Sequence, residues 1–314
     1  MSNAAQHRLT AGRLAGRLLI VLLSLALTVV LVAHRSFPER AGLGLFLDNL
    51  TPWLGFGIPV LLLLAMLVRG RITFLILLLP AIAWAWIFGA AFVPANPPEP
   101  VDKFTVATQN VHQDGAAASA EGLVAEGADL ISLQELGEGQ AEQVGQLLAD
   151  SHPHQFSVGT VGVYSKYPIL DQQPLDLGLG WSRAAKLRIQ TETEQVTVYA
   201  VHAASARPLD HEERDTMLRN LGQIMARDRS SKIIALGDFN ATSTDRHFTP
   251  ISDQLEEVPH ESWGFGMTWP NRPVPVLKID HVMVRGLDTG SASTLSLGDS
   301  DHRAVFATLD LASS

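Results

Sequence analysis

Three uncharged apolar runs crowd the first third of this 314-residue chain and restrict what it can become. Leu18 to Ala33 is bracketed by Arg17 and His34, and Trp53 to Val68 and Ile72 to Val93 are separated only by Arg69, Gly70 and Arg71. Crossing a bilayer takes roughly 20 apolar residues, with a lower bound of about 17. The third run suffices as it stands, and the first two do once Leu14 to Gly16 and Leu50 to Pro52 extend them. The reading is a membrane region over 1–93 with spans at about 14–33, 50–68 and 72–93. A cleavable secretory signal is the alternative for the first run, because Arg8, Arg13 and Arg17 form a basic leader before it.

Basic residues flanking spans stay on the cytoplasmic side. Arg8, Arg13 and Arg17 precede the first span and Arg69 and Arg71 join the other two, so both clusters belong there and the third span exits outward. The expected location is the cell membrane, multi-pass, with a cytoplasmic N-terminus and everything after Pro94 outside the cytoplasm. Cleavage of the first run leaves that orientation unchanged. Residues 94–102, with Pro94, Pro97, Pro98 and Pro100, read as an extended, semi-rigid linker, and 103–314 as one catalytic-sized domain.

There is no cysteine, which excludes disulfides, zinc–thiolate sites and thiol nucleophiles. From Pro100 onward the chain has 16 Lys and Arg against 29 Asp and Glu, a net charge of −13. A nucleic-acid binder shows a basic patch or stripe. This part has no Lys/Arg run to supply one, so nucleic acid is the less favoured partner and the lipid bilayer the more favoured.

Strand-like runs fall at 104–110, 130–134, 160–164, 184–189, 196–202, 232–236, 279–284 and 304–309, with helical stretches at 117–126, 138–149 and 210–227. Asp210 is positioned to cap the longest helix. Many strands with few helices between them point to an α/β sandwich of two sheets face to face with helices outside. A doubly wound parallel sheet is the alternative, but no Gly-rich phosphate loop follows an early strand.

Several of these runs end in groups that carry chemistry: Asn110, Glu135, His202, Asp238 with Asn240, Asp280 with His281, and Asp301 with His302. A strand that ends in a carboxylate or amide delivers it to the rim of a sheet, where it can meet both a metal and a phosphate. Mg²⁺ takes oxygen ligands and keeps several waters. Hydrolysis of a phosphoester further needs a group that orients or deprotonates water, and donors facing the phosphoryl oxygens. This set supplies all three.

Thr108-Gln109-Asn110, Leu133-Gln134-Glu135, Val201-His202, Gly237-Asp238-Phe239-Asn240, Ile279-Asp280-His281 and Ser300-Asp301-His302 resemble, in order, the motifs of the endonuclease/exonuclease/phosphatase superfamily, which includes DNase I and neutral sphingomyelinases. The resemblance covers about Phe104 to Leu309 and implies a four-layered α/β sandwich. It implies Glu135 as the principal ligand of Mg²⁺, or alternatively Mn²⁺, with Asn110 nearby and Asp301 completing the site. Asp238 would activate water, Asn240 would hold phosphate, His202 and His302 would donate to phosphoryl or leaving-group oxygens, and Asp280 would orient His302. His281 faces away from Asp280 and reads as structural. Lys166 and Arg183 are each open between a phosphate contact and a solvated position.

The three spans ahead of such a domain further resemble the membrane-anchored phosphatases associated with teicoplanin resistance, which implies a lipid phosphate substrate such as undecaprenyl diphosphate. An extracytoplasmic nuclease and a sphingomyelinase-like phosphodiesterase are the alternatives. Trp263 to Trp269 forms an aromatic loop that is either interfacial or core packing.

Overall fold

Long uncharged runs of Leu, Ile and Val placed in lipid must satisfy their backbone internally, and helices do so. The computed structural model describes residues 3–112 and 115–312, in two units, 1–90 and 91–314. The first unit is helical: α1 (Asn3–Ala33), α2 (Leu43–Leu50), α3 (Gly57–Val68) and α4 (Arg71–Phe88). Three segments, Ala11–Ser36, Leu43–Val68 and Arg71–Phe92, are long and apolar enough to cross a membrane. The second begins earlier than expected, because a 3₁₀ stretch over Thr51–Phe56 continues α2 into α3. Pro52 lies in that stretch and, lacking an N–H, interrupts the α-helix there. Ile20, Leu61, Ala65 and Leu77 form the contact among helices, while Leu19, Leu63 and Leu75 point outward. Arg17 donates to the carbonyls of Val68 and Arg69, at 3.1 and 2.9 Å, so the two basic clusters meet at one end of the helices.

The second unit runs β1 (Lys103–Asn110), α5 (Ala116–Ala125), β2 (Leu130–Gln134), α6 (Gln140–Leu147), β3 (His154–Val158), β4 (Val161–Ser165), β5 (Ile169–Asp176), β6 (Ser182–Gln190), β7 (Gln195–His202), α7 (Glu212–Arg227), β8 (Ile233–Asp238), α8 (Thr249–Ser252), β9 (Glu256–Glu257), β10 (Asp280–Arg285), β11 (Asp288–Leu295) and β12 (Ala304–Asp310). Two six-stranded sheets result, ordered β11-β12-β1-β2-β4-β3 and β5-β6-β7-β8-β10-β9. Among the described strands, only β1–β2 and β7–β8 pair in parallel. Two mixed sheets replace the single parallel sheet of the alternative reading.

Side chains alternate across each strand; in β4, β6 and β12 the odd positions face the other sheet, and in β1, β2, β7, β8 and β10 the even ones do. Phe104 and Val106 of β1, Val198 and Ala200 of β7, Ile234 and Leu236 of β8, and Val282 and Val284 of β10 share the core between the sheets. In β7 and β8 the odd positions face helices: Tyr199, Val201, Ile233 and Ala235 pack on Met217, Leu218 and Leu221 of α7. Ala107, Ile131 and Leu133 pack on Ala116, Ala120 and Leu123 of α5. The layers are helix, sheet, sheet, helix, the four-layered sandwich that the resemblance implied. Register irregularities occur where β5 meets β6 and where β11 meets β12, whereas β1–β2, β7–β8 and β8–β10 pair without a shift.

Two local expectations change. The cap of α7 is His211 rather than Asp210, whose backbone is occupied in a two-way bridge with Arg207. Residues 94–102 have no regular secondary structure, yet they are tied to the second unit: Ala95 N–H donates to His260 O at 3.0 Å, and Val101 and Asp102 N–H donate to the Asp310 carboxylate at 2.8 and 2.9 Å.

Candidate active site

Parallel pairing sets His202 beside Asp238, and antiparallel pairing sets Asp238 beside Asp280. Asn110, His202, Asp238 and Asp280 all continue the even, inward phase, so they form the floor where the interlayer core reaches one end of the sandwich. Gly237 makes the approach possible: with φ of 141°, a Cβ there would lie 1.9 Å from Val201 O of β7. Among the described residues of the second unit, the non-glycine residues with left-handed backbone are His112, Glu135 and Asn240, with φ of 47°, 58° and 48°. All three are at this floor. Such conformations cost on the order of 1–3 kcal/mol each and persist where surroundings impose them.

The Asn110 amide bridges two carboxylates, its Nδ2 donating to Glu135 Oε1 and Asp238 Oδ2 at 3.0 Å each. Its Oδ1 accepts from His112 N–H at 3.1 Å. Asp238 also accepts from the Asn240 backbone at 2.8 Å and from the Asn240 amide at 3.0 Å. His302 Nδ1 donates to Asp280, 2.9 and 3.1 Å from its two oxygens. Ser300 Oγ accepts from His302 N–H at 2.9 Å and donates to Asn110 O at 2.5 Å, which joins the Ser-Asp-His loop to β1.

Charge follows from this geometry. Burial, then the nearby Asp280, raise the Asp238 pKa to about 7 despite His302 and the two amide donors. Burial opposes a charge on His302, but Asp280, with Asp238 and Asp301, outweighs it and raises the ring to about 10. Near neutrality the floor therefore holds a basic carboxylate beside a cationic imidazole. His202 is pushed well below its usual value by burial, by Arg183 and by His302, and is neutral. Because Asp280 is the main support of the His302 charge, Asp280→Asn lets His302 lose its proton earlier. The alkaline limb of the rate profile then moves down by about 1–3 units, and a limb unmoved by the substitution would mean that His302 does not govern it.

Two groupings could hold a cation. Asp238, Asp280 and His302 offer ligand atoms within 4.8 Å of one another. A proton already holds two of the three together, since His302 Nδ1 is committed to Asp280. Glu135 and Asp301 fit a hard divalent ion better: both supply carboxylate oxygens, and Asp301 Oδ1 is buried without a hydrogen-bond partner. His112 Nδ1 lies 3.5 Å from Glu135 Oε2 and 3.7 Å from Asp301 Oδ1, beyond hydrogen-bonding range of both. Trp269 Nε1 holds the other Asp301 oxygen at 3.0 Å.

Every expected site residue is thus at one end of the sandwich. Lys166 is not; it pairs with Asp129 at 2.9 Å, at the opposite end of the sheet. His281 points outward, bonded to Glu257 at 2.7 Å and to Ala241 O at 2.8 Å, and stacks on Phe248. Arg183 does reach the floor, with Nη2 2.6 Å from His202 Nε2. Sequence reading gave no role to Thr160, whose hydroxyl lies 2.6 Å from His202 Nδ1, or to Arg214. Arg214 is fully buried and donates to Asn240 O at 3.1 Å and Asp245 Oδ2 at 2.5 Å. Its Nη2 is 2.8 Å from Asp215 Oδ1, close enough for an ion pair but not aligned as a hydrogen bond. An Arg four residues past a helix-start Asp looks like any solvated helix position, and only the fold buries it.

A two-sheet sandwich with carboxylates, amides and imidazoles gathered at one end of its core defines a phosphoester-cleaving type of site. The sequence pattern of the Endonuclease/Exonuclease/phosphatase family matches residues 107–302, and the chain belongs to that family, whose members hydrolyse phosphoester bonds. No protein of curated function matches it in sequence. Among solved structures, an endonuclease/exonuclease/phosphatase from Beutenbergia cavernae is similar at 21% identity and TM-score 0.51, over 67% of this chain and 72% of that one. Sphingomyelinase C from Streptomyces griseocarneus is similar at 18% identity and TM-score 0.51, over 66% and 99%. A Staphylococcus aureus beta toxin mutant with bound magnesium ions is similar at 13% identity and TM-score 0.52, over 65% and 99%. At these identities the similarity is one of fold.

Proposed function

We propose that this protein is a membrane-anchored, divalent-metal-dependent phosphohydrolase that acts outside the cytoplasm on a lipid phosphate, undecaprenyl diphosphate being a fitting example. The observation that carries the reading is that a phosphoester-cleaving site and three segments able to cross a membrane share one chain. Tethering raises the effective concentration of a lipid substrate and leaves that of a soluble polymer unchanged. Loops that leave the site end support it: Trp181 ahead of β6, Leu209 after β7 and Val274 ahead of β10 are 48, 81 and 63% exposed. An apolar rim around a charged floor suits an amphiphile whose phosphate is cut while its tail stays in lipid. The net charge of −13 past Pro100 disfavours DNA.

The division of labour follows the geometry. Water bonds to phosphorus as the bridging P–O bond breaks. Asp238 takes the proton that water loses, and its pKa of about 7 suits a base at neutral pH. Asn240, fixed by Asp238 and Arg214, meets the phosphoryl group. His302, cationic beside Asp280, faces an oxygen on which negative charge collects. Glu135 and Asp301 would hold the metal, braced by Asn110 and Trp269, and when bound it supplies positive charge to the phosphoryl oxygens.

The test is the full-length protein in vesicles, offered a long-chain lipid diphosphate, a sphingomyelin-type diester and plasmid DNA side by side, with Mg²⁺, with Mn²⁺ and with EDTA. Phosphate release from the diphosphate, abolished by EDTA, is expected. DNA cleavage without lipid-phosphate release would replace this reading with the nuclease, and cleavage of the diester alone with the sphingomyelinase-like phosphodiesterase.

A further inference from the structure

We propose that Arg183 is the cation that grips the phosphoryl group in this site and that His202 serves as the acceptor that aims it, rather than as a donor to phosphate. The inference rests on the phosphoester reading of the site and assigns a residue that the motifs leave out.

The two ring nitrogens of His202 have different closest neighbours. Nδ1 is 2.6 Å from Thr160 Oγ1, and Arg183 Nη2 lies 2.6 Å from Nε2 and 3.0 Å from Nδ1. A guanidinium has only donors; its closer approach is to Nε2 while Thr160 is the closer neighbour of Nδ1, which assigns acceptance to Nε2 and the ring proton to Nδ1, where the Thr160 hydroxyl can receive it. The ring is almost fully buried, and Glu135 Oε1, 3.8 Å from Nε2, is too far to compete. In this arrangement His202 has no N–H left to offer a phosphate.

Arg183 has what His202 lacks. It starts β6, next to β7; burial pulls its pKa below the usual guanidinium value, and Asp238 and Glu135, the carboxylates on either side of the place a phosphoryl group would take, oppose that shift. Its guanidinium is held on two sides, by His202 and by the exposed Trp181 ring 5.3 Å away. Its Nε is buried and has no hydrogen-bond partner. A planar, pre-aimed fork with an unused buried donor matches the geometry of phosphate oxygens. Neither neighbouring carboxylate is within bonding distance to spend that donor.

Isothermal titration of the full-length protein with inorganic phosphate in the presence of Mg²⁺ tests this without requiring turnover. Hydrogen bonds to charged groups correspond to about 10- to 100-fold in affinity, so Arg183→Ala should weaken phosphate binding by that factor. Arg183→Lys should weaken it less, because it keeps the charge and loses the fork. Millimolar guanidinium should restore binding to Arg183→Ala and leave the wild type unchanged. His202→Gln, which keeps a carbonyl acceptor near the Nε2 position, should bind phosphate almost normally, whereas His202→Phe should be as weak as Arg183→Ala. No measurable phosphate binding by the wild type, or wild-type affinity in Arg183→Ala, overturns the proposal. So does a loss that guanidinium fails to restore in both Arg183 variants while their circular dichroism and melting are unchanged. Arg183-dependent phosphate binding in a protein that cleaves none of the offered esters would uphold the clamp and sink the proposed activity.

Discussion

Asp238→Asn is expected to lower kcat by about 10²–10⁴-fold, the usual scale for loss of a general base, with KM little changed. The two side chains have the same shape, and Asn110 and Asn240 can still donate to the remaining oxygen. The substituted NH₂ cannot accept a proton from water, and it meets the Asn240 N–H that Asp238 Oδ1 accepts at 2.8 Å. The pH profile gives a second signature. Asp238 titrates at about 7, and only its ionised form is basic, so the wild-type rate should rise with pH through that value and the variant should lack the rise. A defect confined to KM, with the acid limb intact, would assign Asp238 to binding.

Arg214→Met is expected to reduce stability by about 3–5 kcal/mol, the range for removing one partner from a buried ion pair. Arg214 is wholly enclosed, and without it Asp245, itself 1% exposed, is a buried carboxylate with no cation. Asp215 retains His211 and His247 at 2.8 and 3.2 Å, which limits the damage on that side. Thermal melting in detergent measures the loss, and Arg214→Met combined with Asp245→Leu should recover part of it, because no charge is then stranded. Activity should fall along with stability, since Arg214 Nη1 holds the carbonyl of Asn240 in its left-handed conformation. A melting temperature equal to wild type would show that the cluster is solvated in ways its burial denies.

All eight strands expected from the sequence exist, and the four that were not foreseen, β3, β5, β9 and β11, are the four sheet edges. The reason is physical. A central strand is covered on both faces and must be apolar throughout, as in Ile233-Ile234-Ala235-Leu236. An edge strand needs fewer apolar residues and is protected from mispairing by polar ones. Ile169-Leu-Asp-Gln-Gln-Pro-Leu-Asp176 is mostly exposed and contains a proline, and Asp288-Thr-Gly-Ser-Ala-Ser-Thr-Leu295 is small and polar.

The same asymmetry governs the site. Asp238 and His302 were legible because they end or follow apolar runs that mark the strands. Thr160 and Arg214 were not, because each gains its role from a neighbour far away in sequence, 42 residues between Thr160 and His202 and 31 between Arg214 and Asp245, and Arg183 was legible only as a choice between a phosphate contact and a solvated strand start, its partner His202 being 19 residues on. No local pattern encodes those distances. His112 had a signal, two positions past Asn110, but its exposed ring next to two carboxylates is visible only once β1, β2 and the Ser300 loop are assembled.

The confinement of register irregularities to the outermost strand pairs divides the chain by how it can tolerate changes of length. A strand has two faces, so one residue added or lost inside β7, β8 or β10 would turn the following side chain from the interlayer floor to the helical side. His202, Asp238 and Asp280 each close such a strand or open it, with nothing beyond them to absorb the slip. β5 and β11 carry no floor residue and already contain their irregularities. Lineages that remodel this scaffold are free to gain and lose residues along those borders and in the loops bearing Trp181, Leu209 and Val274, and so to exchange the molecule being recognised while the interior phase that sets the chemistry is inherited unaltered.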